Sequence, residues 1–361
     1  MKKLSLCLIV KNEEKSLDDC LKNAKSYADE IIIVDTGSQD ATIEIAKKYT
    51  DKIYTFKWCD DFSKARNFSF DQASCEYIMW LDADDIVPDE SVQEIIKWKK
   101  YDDKIDVLMC RYVVTFDKNL VPIFEYYRER IVKNSKKFRW RDRVHEVITP
   151  SGSIVRNEKI AIYHNKKQKS ISQRNLSIYR KMIDKNEKFS PRNQFYYARE
   201  LYFNGFTKEA IHEFSKYLAE DHGWVENKVE ACLNLAKCYQ QEKEYQKALY
   251  SLFGSFVYAR PRGEILYEVG NVFVSLKDYT NAVYWYKQAL AAEVEIEGGG
   301  FVNRECYTFL PALQLCFLYS QLGDSDESYK YHKLAKSFRP DDERVKYNEL
   351  YFQNLFKNGS K

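Results

Sequence analysis

Three aspartates in four positions, Asp82-Ala83-Asp84-Asp85, close an apolar run from Tyr77 to Leu81. Carboxylates crowded at a strand end repel one another unless a cation sits among them. Hard oxygen donors of this kind suit Mg²⁺ or Mn²⁺, and such an ion can hold a diphosphate leaving group. Three more polar clusters lie upstream. Lys11-Asn12-Glu13-Glu14 follows the apolar run Leu4–Val10. Asp35-Thr36-Gly37-Ser38 follows the run Ile31-Ile32-Ile33-Val34, and Asp60-Asp61-Phe62-Ser63-Lys64-Ala65-Arg66-Asn67 leads into a helical pattern. Asp35 can accept hydrogen bonds from a nucleobase or ribose, and Gly37 permits a tight turn. Arg66 can reach a phosphate or base near a helix N-terminus. Asn12 has two readings, a helix cap or a ligand contact.

The elements around these clusters read as alternating strand and helix. Leu4–Val10, Glu30–Asp35, Lys52–Phe56 and Cys75–Leu81 are predicted strands. Between them Glu14–Ser26, Gln39–Tyr49 and Phe62–Ala73 are predicted helices, the first from the i, i+3, i+4, i+7 stripe Leu17, Cys20, Leu21, Ala24. Pro88 opens a further helix. This order predicts a mainly parallel sheet covered on both faces, with ligands at the carboxyl ends of its strands. Val107–Phe116, Pro122–Val132 and Gly152–Ile162 are predicted strands that make the sheet mixed.

Composition bounds the remaining classes. The chain has 361 residues, 45% of them hydrophobic, with 28 Tyr and 21 Phe, enough for sizeable cores and more in keeping with two domains than one. No apolar run has the length of a membrane span. Leu4–Val10 is too short for a signal peptide and is read as a strand, so the expected location is cytoplasmic. None of the nine cysteines forms a C-x-x-C pair, and the plain reading is small buried hydrophobes in a reducing compartment. Net charge is +3, with basic stretches from Arg128 to Arg143 and from Arg156 to Arg174 that suit a pyrophosphate, an anionic surface or solvent. No nucleic-acid-binding signature is present.

From about Ser170 the chain reads as helices with an internal repeat. Small residues recur at Ala198, Ala236, Gly270 and Cys316, and twelve residues after each come Ala210, Ala248, Ala282 and Ser328. The middle offset is 34 residues and the last is 46, the excess falling at Gly298-Gly299-Gly300. A 34-residue period resembles the tetratricopeptide repeat, whose helix pairs stack into a solenoid because no single pair can bury its apolar face. Pro340 falls where such a repeat ends its second helix.

Taken in order, the four clusters resemble glycosyltransferase family 2. The resemblance spans about residues 4 to 165. It implies a GT-A fold, an α/β domain that binds a nucleotide sugar, and an inverting reaction. It places Asn12, Glu13 and Asp35 at the uracil and ribose. It gives Arg66 of the A-R-N segment a contact to the nucleotide. It makes Asp82-Ala83-Asp84 the D-x-D motif, with Asp82 toward the nucleotide and Asp84 on the metal. Thr36 departs from the second Asp that many members carry after strand two. Arg143-Val144-His145-Glu146 resembles a V-H-E segment and makes Glu146 the preferred general base, with His145 second. Tyr163-His164-Asn165 resembles a Y-H-N segment and makes His164 a further metal ligand. The other histidines, His212, His222 and His332, lie among the repeats. The implied cofactor is Mg²⁺ or Mn²⁺ and the implied donor a UDP-sugar.

The expected organisation is a GT-A domain over 1–168, a helical linker over 169–190 and tetratricopeptide-like repeats over 191–361. This arrangement resembles bacterial S-glycosyltransferases that modify glycocin precursors, which implies hexose transfer to a peptide Cys or Ser and a homodimer formed through the repeats. The same catalytic segments resemble enzymes acting on lipopolysaccharide cores and surface glycans. A different class, a non-catalytic scaffold carrying a degenerate transferase domain, conflicts with the retained D-x-D, Arg66 and V-H-E. Sugar nucleotidyltransferases open with a Gly-rich loop that Val10-Lys11-Asn12-Glu13-Glu14 lacks.

Overall fold

The structure is a computed structural model that describes all residues except 102–103, 117–121, 166–172, 295–299, 301 and 359–361. The chain divides into two compact units, Met1–Lys188 and Phe189–Lys361.

The first unit opens as β1 (Leu4–Val10), α1 (Leu17–Leu21), α2 (Ala24–Tyr27), β2 (Glu30–Asp35), α3 (Thr42–Ala46), β3 (Ile53–Thr55), α4 (Phe62–Asp71) and β4 (Tyr77–Trp80). It continues with β5 (Asp85–Ile86), α5 (Asp89–Lys100), β6 (Val107–Phe116), β7 (Pro122–Lys133), β8 (Trp140–Arg141), β9 (Val147–Ile148), β10 (Ile154–His164) and α6 (Arg174–Asp184). The main sheet runs β3-β2-β1-β4-β7-β6-β10-β5. Strands β1 to β4 are mutually parallel. β7 is antiparallel to β4 and β6, while β10 is parallel to β6 and antiparallel to β5. The sheet is therefore mixed, as the change of pattern after residue 105 predicts.

Alternation along the central strands feeds two cores. Leu4, Leu6 and Leu8 of β1 and Ile31 and Ile33 of β2 join one cluster. Cys7, Ile32 and Val34 point to the opposite face and join Ile78, Trp80 and Trp140. Both faces are covered, which is why the sequence shows continuous apolar runs here. Register places Val10 opposite Asp35 and Cys7 opposite Trp80, so the loops after β1, β2 and β4 emerge at one end of the sheet.

The helix expected over Glu14–Ser26 is two short ones, broken at Lys22 and Asn23. Asn23 turns its amide to Asp89 at 3.0 Å, and the stripe Leu17, Cys20, Leu21 and Ala24 is nevertheless buried. The chain between Asp35 and Thr42 is loop, so α3 is shorter than the pattern Gln39–Tyr49. α6 belongs with the first unit: Lys181 pairs with Asp60 at 2.7 Å, and Glu187, just beyond the helix, pairs with Arg143.

Among its described residues the second unit is helical apart from a two-residue strand: α7 (Pro191–Phe203), α8 (Thr207–Ala219), α9 (Val225–Gln241), α10 (Tyr245–Gly254), α11 (Gly263–Ser275), α12 (Tyr279–Ala291), α13 (Phe309–Gln321), α14 (Ser325–Phe338) and α15 (Glu343–Asn358). The first eight form four hairpins, each packed on the next, with α15 against α14. This is a tetratricopeptide-like stack. The small residues of the repeat sit where paired helices touch. Ala198, Ala210, Ala236, Ala248 and Ala282 are fully buried, and Ser328 donates to the Cys316 carbonyl at 2.7 Å. A Cβ on Gly270 would lie 2.5 Å from the Tyr286 ring. α14 ends at Phe338, two residues before Pro340. Of the glycine run, Gly298 and Gly299 lie outside the described residues, as does part of the basic stretch from Arg156 to Arg174. Among the described residues no helix is long and apolar enough to cross a membrane.

Candidate active site

The loops after β1 and β2 are sewn together. Asn12, at φ 56°, accepts from Gln39 N at 2.8 Å and gives its own N–H to Ser38 Oγ at 3.0 Å. Glu13 N donates to Thr42 Oγ1 at 2.7 Å, and the Glu13 carboxylate accepts from Ser16. Asn12 therefore caps no helix of its own; it braces the neighbouring loop. Asp35 accepts from Gly37 N and Ser38 N, both at 3.1 Å, which forms the turn that Gly37 completes at φ 106°.

On the other side of β1, α4 clamps the segment from Trp140 to Glu146. Asp61 caps the helix by accepting from Lys64 N at 3.1 Å. Phe62 N donates to the Arg143 carbonyl at 2.8 Å, and Asn67 exchanges two hydrogen bonds with the Trp140 backbone. Arg66 sits between them, 7% exposed. Its Nε meets Glu146 Oε1 and its Nη2 meets Asp82 Oδ1, each at 2.6 Å, with the guanidinium over the rings of Trp140 and Trp80. The A-R-N, D-x-D and V-H-E segments thus share one ion-paired cluster. His145 is half-buried in the same segment, at φ 52°.

The acidic turn meets the end of β10. Pairing of β5 with β10 sets His164 opposite Asp85, and Asn165 N donates to the Asp84 carbonyl at 2.8 Å. One oxygen each of Asp84 and Asp85 and one ring nitrogen of His164 lie within 4.8 Å of one another. Burial pushes the Asp84 carboxyl up to about 6; the charges of Asp82, Asp85 and Glu13 act the same way, against the pull of His164. Burial works to lower the His164 imidazole, yet Asp85 and Asp84 outweigh it and hold it above the usual range. Asp82 behaves oppositely: burial would raise it, but Arg66 and Arg130 keep it well below the usual carboxylate range.

Asp85 is committed elsewhere. Its Oδ2 accepts from Arg130 Nη1 at 2.8 Å and from Asp82 N at 3.0 Å, and its Oδ1 accepts from Tyr112 at 3.0 Å. Asp84 and His164 are therefore the residues that could hold a cation. Negative charge crowded around a largely buried Asp84 is what a divalent ion would relieve, so the residues fit such an ion.

Asn12 and Asp35 occupy the same end of the sheet as this cluster. Among the described residues, no hydrogen bond or ion pair joins them to Arg66, Asp82 or Glu146. Arg130 and Tyr112 carry no site signal in the sequence, and Asp85 is read there only as part of the acidic turn. The third aspartate was visible in its motif, whereas Arg130 was hidden inside a basic stretch. Four of its five arginines are paired within the protein: Arg128 with Glu129, Arg130 with Asp85, Arg139 with Asp71 and Arg143 with Glu187.

Residues 5–162 match the family model for glycosyl transferase family 2. Over those residues the first unit is similar to glycosyltransferase family 2. A stretch of 225 residues is 29% identical to the SPbeta prophage-derived glycosyltransferase SunS of Bacillus subtilis, covering 58% of this chain and 51% of that protein. Over 152 residues the chain is 33% identical to a TPR repeat-containing protein of Synechococcus elongatus, covering 42% of this chain and 36% of the relative. The chain thus spans about a third to a half of the length of these curated relatives. Among solved structures, the crystal structure of S. aureus TarS aligns with a TM-score of 0.39 at 15% identity, over 68% of this chain and 54% of that one. MamA aligns with a TM-score of 0.37 at 19% identity, over 45% of this chain and 85% of that one. The matched span ends at Ile162, two residues before His164.

Proposed function

We propose that the protein transfers a hexose from a UDP-sugar to an acceptor, with inversion, and that the acceptor is a peptide Cys or Ser. The observation that carries this reading is Arg66 bound at once to Asp82 and Glu146, beside Asp84 and His164 at the end of the acidic turn.

Asp84 and His164 would hold a divalent cation, which when bound supplies positive charge for the departing diphosphate. Asn12, Glu13 and Asp35 shape the nucleoside side of the cleft through the two joined loops. Arg66 binds the nucleotide beside Asp82. Glu146 takes the proton of the acceptor: Arg66 engages its Oε1, and Oε2 is the oxygen offered to the nucleophile. His145, on the same segment, is the second choice for that proton. The acceptor attacks the anomeric carbon as its proton moves to Glu146, and the bond to the diphosphate oxygen breaks on the opposite face.

A peptide acceptor is favoured by the helical hairpins, since such stacks present surfaces to peptides; the 29% identity to SunS supports glycosyl transfer alone. A glycolipid acceptor loses support because most arginines of the stretch from Arg128 to Arg143 are paired within the protein. The test is incubation with UDP-glucose and Mn²⁺ in the presence of a Cys- or Ser-containing peptide or a lipid-linked glycan, followed by mass spectrometry. A hexose added to the peptide is expected. Asp84→Ala should remove transfer while leaving the circular dichroism unchanged. Full transfer by that variant would defeat the metal assignment, and a gain of mass on the glycan alone would defeat the peptide assignment.

A further inference from the structure

We propose, on the basis of the metal-assisted reading above, that Tyr112 is a positioning residue that selects which nitrogen of His164 meets the cation. Tyr112 stands on β6 with its hydroxyl between two partners. It donates to Asp85 Oδ1 at 3.0 Å and lies 2.9 Å from His164 Nδ1. A phenol has one proton to give. The Asp85 carboxylate already accepts from Arg130 Nη1 and Asp82 N, and it takes the phenolic proton as well. The tyrosine oxygen is then left as an acceptor toward the imidazole. Asp85 Oδ1, 3.6 Å from Nδ1, is an acceptor too, while Asp84 Oδ1, at 3.5 Å, is kept for the cation. Neither Tyr112 nor Asp85 has a hydrogen to give Nδ1. Nδ1 is therefore the N–H edge of the ring, and Nε2 carries the lone pair.

A histidine that ligates a metal generally gives its other N–H to a fixed partner, which sets the tautomer, aims the ring and raises its basicity. Here that partner is a phenol, and the phenol is itself held. Arg130 and Asp85 are both fully buried, and Arg130 lies over the Tyr112 ring at 4.2 Å. The chain runs Arg130 to Asp85, Tyr112 to Asp85, and His164 to Tyr112. It links strands β5, β6, β7 and β10 to one nitrogen. The β10–β5 register that sets His164 opposite Asp85 fixes the same arrangement from the backbone.

The test compares the full-length protein with Tyr112→Phe and His164→Ala. Mn²⁺ affinity at saturating UDP is read by electron paramagnetic resonance. Tyr112→Phe keeps the ring under Arg130 and loses one hydrogen bond to Asp85, so it should remain folded, with a melting temperature lowered far less than by removal of Arg130. Its Mn²⁺ affinity should fall about ten- to a hundredfold, as for other groups that orient a ligand, and His164→Ala should lose at least as much. In ¹⁵N-histidine spectra of the Mg²⁺- and UDP-loaded protein, the signal missing from His164→Ala identifies His164 among the five histidines. That signal should show hydrogen on Nδ1 in the parent and a mixture of tautomers in Tyr112→Phe. If Tyr112→Phe binds Mn²⁺ like the parent while His164→Ala does not, the role of Tyr112 falls and the metal reading stands. Hydrogen on Nε2 in the parent has the same consequence. If the parent itself takes up no Mn²⁺ with UDP, the metal reading falls and takes this inference with it.

Discussion

Arg130 has no exposed surface, yet it carries a charge into the sheet. Such a charge is tolerable only when paired and well packed. Asp85 supplies the pair at 2.8 Å, and the guanidinium lies 3.8 Å from the Trp80 ring centre and 4.2 Å from that of Tyr112. Its Nε and Nη2 find no hydrogen-bond partner among the described residues, so the aromatic faces and Asp85 offset the burial. Arg130→Met should therefore destabilise the first unit by about 3–5 kcal/mol, because Asp85 is left buried without its cation. Adding Asp85→Asn should recover part of the loss. Urea unfolding measures both, and a single variant as stable as the parent would contradict the pairing. These residues also mark where the sequence stops speaking. Asp82, Asp84 and Arg66 stand at the ends of legible strands and helices, so order alone collects them. Arg130 and Tyr112 project from the middle of β7 and β6, and their meeting with Asp85 depends on a strand order, β4-β7-β6-β10, that antiparallel returns create. No local spacing encodes that order.

The repeat helices were more legible, because a solenoid repeats its contacts locally. The structure adds a feature that the small-residue pattern did not include. Each hairpin turn has a residue of positive φ at the same repeat position: Gly205 at 80°, Lys243 at 61°, Lys277 at 60° and Gly323 at 79°. Each lies seven residues after the small residue of the first helix and five before that of the second. This is the left-handed residue that closes a helix C-terminus, usually glycine. Lysine holds the position twice at a cost of about 1–2 kcal/mol for its Cβ, while glycine has the greater chain entropy to lose. Lys277→Gly should thus raise stability by about 0.5–1 kcal/mol, and Gly205→Ala should lower it by a similar amount. Thermal unfolding of the two variants decides this, and a destabilised Lys277→Gly would show that the lysine stem packs better than its backbone suggests. The short helices of the first unit were less legible for a related reason. α1, α2 and α3 are held by side chains of neighbouring loops, such as Asn23 to Asp89 and Asp40 to Thr42, rather than by their own length.

At the scale of the whole molecule, the two units should answer acid differently. In the first, Glu30 at the start of β2 ties three segments together through Ser5, Lys52 and Ser74. Burial would raise its carboxyl, but hydrogen bonds from those three residues outweigh burial and hold it at about 2 instead of the ordinary 4.5. Asp29 next to it is likewise held at about 2, against burial, by Lys99, Lys3 and Leu4 N. A carboxyl lowered on folding contributes stability that is complete above its unfolded value and is lost as pH falls toward its folded one. Both groups therefore withdraw support from the first unit between about pH 4.5 and pH 2. In the second unit the lowered carboxyls, Asp342 beside Arg344 and Glu349 beside His332, lie at its end, while burial raises Glu264 more than Tyr307 and Asn303 N lower it, so protonation of that group favours the fold. Acid should accordingly disrupt the sheet unit first. Near-ultraviolet dichroism and fluorescence, weighted to Trp58, Trp80, Trp98 and Trp140 of the first unit, should change at a higher pH than the far-ultraviolet helical signal of the second. Glu30→Gln should be less stable than the parent at neutral pH and should lose less on acidification. A single coincident transition for both probes, or an acid response untouched by Glu30→Gln, would show that the stability of the sheet unit in acid is not set by these anchored carboxylates.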